Sequence, residues 1–133
     1  MSFIELNAHV GKAYAPGYFL AHEECTRITV EADATNDAVV TAANGGKYLP
    51  MGTVYPSNDE EAIGIIYEDV DVSTGNMPAS LVTKGVVYVN RLPEELTEDT
   101  TEGGTTTAGS KSTLEALGFV FIEEPTVTRP SED

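Results

Sequence analysis

From Thr26 onward, apolar Ile28, Val30 and Ala32 alternate with Arg27, Thr29 and Glu31, the period of two expected of a half-buried β-strand. A second apolar run, Ala38-Val39-Val40, follows the polar turn Thr35-Asn36-Asp37 and ends at Asn44-Gly45-Gly46. Asn-Gly is a hairpin signal because both residues tolerate positive φ. Residues 48–55 carry Pro50 and Gly52 inside a β-like run, which places them at an edge or a bulge. Residues 62–92 read as a β-meander: the apolar run 62–67, the alternating Asp69-Val70-Asp71-Val72, a turn at 73–76, and the returning runs 81–83 and 85–89. Gly64 and Gly85 fall inside strand-like runs, where a bulge, a corner or the close approach of another backbone is the usual reason.

Beyond Pro93 the composition changes to Glu, Asp, Thr and Gly, and residues 94–110 read as an acidic, Thr/Gly-rich solvated loop. A short helix follows, with Ser112 and Glu115 as a capping box, Leu114 and Leu117 on one side, and Gly118 at the left-handed C-cap. A last strand, Phe119-Val120-Phe121-Ile122, is closed by Pro125. At the other end, residues 1–24 mix Gly11, Pro16 and Gly17 with Tyr14, Tyr18 and Phe19 and read as an irregular arm whose aromatics are offered to a partner. An ordinary N-terminal strand tucked on the sheet is the alternative.

Together these elements predict a mostly β fold, a small β-barrel-like or β-sandwich domain with one short helix near the C-terminus. The expected organisation is an arm at 1–24, a single β-rich domain at 25–125, and a flexible polar tail at 126–133. A chain of 133 residues suits one domain with its own core.

Charge narrows the partners. Lys and Arg total 7 against 22 Asp and Glu, a net charge of -15. That potential opposes a phosphate backbone, so no nucleic acid is expected as a partner. The seven cations form no polybasic patch, no run reaches the ~18 apolar residues needed to span a bilayer, and residues 1–10 lack the basic and apolar regions of a signal peptide. No membrane partner and a cytoplasmic place of synthesis are the expectations. The lone Cys25 excludes an internal disulfide and a cysteine zinc cluster, and reads as a small buried hydrophobe.

The chemistry of catalysis is sparse in the sequence. His9 and His22 stand 13 positions apart without a spaced metal-ligand partner, no G-x-S-x-G elbow is present, and Gly11-Lys12 lacks the rest of a phosphate-binding loop. Asp69 and Asp71 would share a strand face ~6–7 Å apart, compatible with a cation or a glycosidase pair. The simpler reading is the solvated face of a strand. Asp59-Glu60-Glu61 reads as a charged turn that guards neighbouring strands against aggregation. Tyr48, Tyr55, Tyr67 and Tyr88 are expected to cap the core with their hydroxyls at its rim. A binding protein without catalytic, cofactor or metal residues is the expectation.

The order of features in residues 45–93 resembles the head decoration proteins of tailed bacteriophages and prophages, the lambda-like capsid-stabilising family. The likeness rests on the Gly-Gly-Lys-Tyr-Leu-Pro-Met-Gly-Thr-Val entry, the Ala62-Ile63-Gly64-Ile65 strand, and Asp69-Val70-Asp71-Val72 leading to Leu81-Val82-Thr83-Lys84-Gly85-Val86-Val87. The resemblance implies a virion structural protein, usually trimeric, that sits on the outside of the expanded shell. It would be made in the host cytoplasm and bind the major capsid protein through an N-terminal arm, here with Tyr14, Tyr18 and Phe19 as the capsid-binding residues. The acidic loop and the tail have no counterpart in the family pattern. Two other readings are an adhesion or carbohydrate-binding module of phage or bacterial origin, using exposed tyrosines, and a small acidic hydrolase using Asp69 and Asp71.

Overall fold

Every residue of the run Gly64-Ile65-Ile66 is buried, which is why this stretch is continuously apolar instead of alternating. The structure, a computed structural model, describes residues 15–22 and 24–124. In chain order the strands are β1 (Thr26–Ala32), β2 (Val40–Thr41), β3 (Lys47–Leu49), β4 (Val54–Tyr55), β5 (Gly64–Ile66), β6 (Val70–Asp71), β7 (Met77–Lys84), β8 (Val86–Tyr88), β9 (Thr100–Glu102) and β10 (Thr105–Thr107). Helix α1 (Ser110–Leu117) precedes β11 (Val120–Ile122). The fold is mostly β with one short helix near the C-terminus, as the sequence predicts. The tail at 126–133 lies outside the described residues.

A four-stranded antiparallel sheet of order β1-β7-β5-β4 forms the middle layer. Its cross-strand pairs Ile65–Val82 and Ile66–Leu81 point to opposite faces, because successive side chains alternate across a strand. Two cores follow from that alternation. On one face Ile65 and Val82 pack with Phe19, Val87, Leu114 and Phe119. On the other, Ile66 and Leu81 pack with Leu49, Tyr55, Val70 and Val72. The first core is covered by the parallel pair β8–β11 and α1, the second by the small sheet β2-β3-β6. Among the described residues the sheets stay open and close no barrel.

The Asn-Gly turn falls where the sequence places it, with one change in geometry, whereas residues 62–92 form no meander: β5 pairs with β7, β6 lies beside β3 in the small sheet, and β8 pairs in parallel with β11. Among the described residues no non-glycine takes positive φ, so Asn44 does not, whereas Gly45 has φ 91°. The Gly45 N–H donates to the Ala42 carbonyl at 2.9 Å and the Ala42 N–H to the Gly46 carbonyl at 2.7 Å. A one-residue-longer loop of this kind needs a left-handed conformation at a single position, which glycine supplies.

Three further expectations are corrected. β1 is not half-buried in alternation: Ile28 is 47% exposed, and burial grows only toward Ala32, because β1 is the outermost strand of its sheet. The loop 94–110 contains a hairpin, β9–β10, turned by Gly103-Gly104, with every strand residue exposed. Finally, α1 begins at Ser110 with Gly109 as N-cap, ahead of the expected Ser112 cap. Thr97 and Asp99 explain that shift: the Thr97 hydroxyl accepts the Ser110 N–H at 2.8 Å and its carbonyl the Lys111 N–H at 3.2 Å, and Asp99 ties down the residues on either side. Its Oδ1 accepts the Gly109 N–H at 2.9 Å and the Ser112 hydroxyl at 2.5 Å, so an acid from the preceding loop serves the helix N-terminus. Gly118 ends the helix in the left-handed conformation, as expected.

Candidate functional site

Residues 15–22 run beside β8. The Leu20–Val87 bridge is antiparallel, the Ala21 N–H donates to the Val86 carbonyl, and the Tyr88 N–H donates to the Phe19 carbonyl, both at 2.8 Å. β11 lies on the opposite side of β8 and runs parallel to it. Gly17 is fixed by a 2.8 Å bond from its N–H to the Tyr67 carbonyl. Residues 16–19 form turns, and Leu20 docks on β8 through this single bridge, so this portion of the segment packs on the domain without forming a strand of its own.

The three aromatics assigned to capsid contact separate accordingly. Tyr14 lies outside the described residues. Phe19, expected as an offered aromatic, is fully buried among Val87, Leu114 and Phe119, and so is a core residue. Tyr18 is half-buried, with its ring beneath the guanidinium of Arg91 at 4.2 Å.

Arg91 organises this edge. Its guanidinium also lies 4.8 Å from the centre of the Tyr88 ring. Nη1 donates to the Tyr18 carbonyl at 2.8 Å, Nε donates to Glu124 Oε1 at 2.9 Å, and Nη2 pairs with Glu124 Oε2. The bidentate contact matches the fork of a guanidinium to a carboxylate. It raises the pKa of Arg91 and holds that of Glu124 below the ordinary carboxylate value. The clasp keeps Tyr18 and Glu124 together at one edge of the domain. β11, which ends two residues before Glu124, exposes Val120 and Ile122, and α1 exposes Leu117.

Neither Arg91 nor Glu124 was among the sequence-derived candidates. The available signal was an arginine just after Tyr88 in a chain with few cations. The acidic pair considered for catalysis has local structural work. Asp69 precedes β6, and its Oδ1 accepts the Met51 N–H at 2.6 Å; Asp71 Oδ1 accepts the Ser73 N–H at 2.9 Å, which lowers its pKa. Asp59 is held low in the same way by the Ser57 hydroxyl and the Glu61 N–H. Among the described residues no group of three or more His, Cys, Asp or Glu side chains could hold a metal ion. Cys25 is half-buried and a free thiol. His22 is exposed, and His9 lies outside the described residues.

The tyrosines fit their expected place at the rim only in part. Tyr55 donates its hydroxyl to the Glu31 carbonyl at 2.8 Å and accepts the Asp33 N–H at 3.3 Å, which ties β4 to the end of β1. Tyr67 lies under the Arg27 guanidinium at 4.2 Å, and Tyr48 is buried. No family model, curated protein or solved structure matches this chain.

Proposed function

We propose that this chain is a head decoration protein of a tailed bacteriophage or prophage, a virion structural protein that binds the outside of the expanded capsid and stabilises it. Its partner is the major capsid protein, and copies associate as a homotrimer, as the sequence resemblance implies. The observation that carries this reading is the Arg91 clasp. It fixes Tyr18 and Glu124 at one edge of the domain, and β11 exposes Val120 and Ile122. A rigid edge with exposed apolar side chains suits attachment through main-chain pairing and shallow apolar contact. Many copies on one shell would then act by avidity, and their binding free energy would favour the expanded state over its disrupted forms. The charge of -15 suits a part present at high density on a particle exterior.

Purified protein mixed with expanded shells of the cognate major capsid protein, lacking any decoration protein, is expected to bind saturably and in fixed stoichiometry. Those shells should then resist heat better. Shells that take up no protein at saturating concentration would reject the proposal.

A further inference from the structure

Among the described residues β1 pairs with β7 on one side only, and along most of its length both of its faces are exposed. Its main-chain groups have a direction that follows from the ladder. The Tyr67 N–H donates to the Ser80 carbonyl at 3.0 Å, so Ser80 faces β5. Thr29, directly opposite Ser80, then turns its own N–H and C=O away from β7, because these groups alternate sides along an antiparallel strand. Arg27 and Glu31 share that parity. The Glu31 carbonyl already accepts the Tyr55 hydroxyl, which occupies one of its two lone pairs.

Charged side chains and proline guard edge strands against self-association, but charges of opposite sign placed evenly about one residue are self-complementary. β1 carries Arg27 and Glu31, each two positions from Thr29 on one face, and Ile28 and Val30 on the other. We infer that β1 pairs antiparallel with the β1 of a second copy, across a two-fold axis at Thr29. That register sets Arg27 opposite Glu31 of the other copy, twice by symmetry, and Ile28 opposite Val30. It covers Ile28, 47% exposed in the single chain. Moving the axis one residue either way, to Ile28 or Val30, centres it on a residue whose main-chain groups face β7 and separates Arg27 from Glu31. The Arg27 guanidinium lies 4.2 Å from the centre of the Tyr67 ring, a contact that any change at Arg27 also removes.

A two-fold contact of this kind is separate from any three-fold association, and its test needs no capsid. Net repulsion between two copies, each with a charge of -15, opposes it at low ionic strength, so the measurement belongs near or above 0.15 M salt, where the screening length is about 8 Å. Sedimentation of the purified chain is expected to show a concentration-dependent dimer, or pairs of a larger unit. Arg27→Glu and Glu31→Arg should each weaken it by about tenfold or more, and the double variant should restore it. Hydrogen exchange at the Thr29 amide should slow as the dimer fills. Melting curves of all three variants check that the domain stays folded, and the double variant separates pairing from the loss of the Arg27–Tyr67 contact. A chain that stays unpaired at about 1 mM (a weak-binding limit), single variants that associate as tightly as the parent, or a double variant no better than either single one would overturn the inference.

Discussion

Arg91 and Glu124 stand 33 positions apart in sequence and meet through a bidentate pair, Nε to Oε1 at 2.9 Å and Nη2 to Oε2. The same guanidinium holds the Tyr18 carbonyl and lies over the Tyr18 and Tyr88 rings. Replacing it with alanine removes the carbonyl bond and the ring contacts together. Partial exposure of its side chain, 21%, moderates the cost to about 1–2 kcal/mol. Arg91→Lys should recover little, since an ammonium supplies neither the fork nor the flat stacking surface. Urea unfolding gives the stability change, and hydrogen exchange should rise first at residues 17–21. Unchanged exchange there in Arg91→Ala would show that the clasp does not hold the segment.

Acid should act on several carboxylates at once. Glu124 is held low by its bond to Arg91, Asp99 by the Ser112 hydroxyl and Gly109 N–H, and Asp33 by the Thr35 hydroxyl and N–H. A carboxyl with a depressed folded pKa contributes stability that is complete above its unfolded value, about 4, and is lost as pH falls through the folded value. Repulsion among the 22 acids works in the other direction, so mild acidification from neutrality relieves strain before these bonds are protonated. Melting temperature is therefore expected to pass through a maximum in weak acid and fall below about pH 4. Asp99→Asn should flatten the acid limb. A melting temperature that keeps climbing to pH 2 would contradict this balance.

Gly64 gives a steric test of the central sheet. A Cβ built there would lie 2.4 Å from the Val82 carbonyl oxygen and 2.7 Å from Leu81 Cγ, both within β7. Backbone cannot yield as a side-chain tip can, so Gly64→Ala should cost about 3 kcal/mol or more. Gly75→Ala provides a contrast, since nothing lies within 4 Å of its added carbon and only the positive φ of 129° opposes it. Equal losses from both substitutions in chemical unfolding would mean that β5 and β7 are not packed so closely.

The buried run at 64–66, glycine included, was legible because a strand covered on both faces leaves an unbroken apolar signal. Gly118 was legible too, since a helix stop is a local event. Other features depended on distant residues. Phe19 has no periodic neighbours, and its burial comes from Leu114 and Phe119, far along the chain. The hairpin β9–β10 is exposed on both faces, so its threonines show no alternation of polar with apolar residues. The Arg91 clasp was hidden for the same reason as Phe19: one of its partners precedes it by 73 positions and the other follows by 33.

Phe19 turns that difference into a measurement. A segment used only for attachment could be removed through Tyr18 without loss of fold, but here Gly17 and Tyr18 bond to Tyr67 and Arg91, and Phe19 fills the first core. Phe19→Ala is expected to cost about 3–5 kcal/mol, the usual range for emptying an aromatic site in a packed core. Removing residues 1–14 should leave the melting transition within a few degrees of the intact chain, and removing residues 1–18 should lower it clearly. The shorter deletion is then the appropriate reagent for testing capsid attachment, because loss of binding by the longer one could follow from partial unfolding. If the longer deletion melts like the intact chain, the contacts of Gly17 and Tyr18 contribute nothing to the fold, and the whole segment is free to serve as an arm.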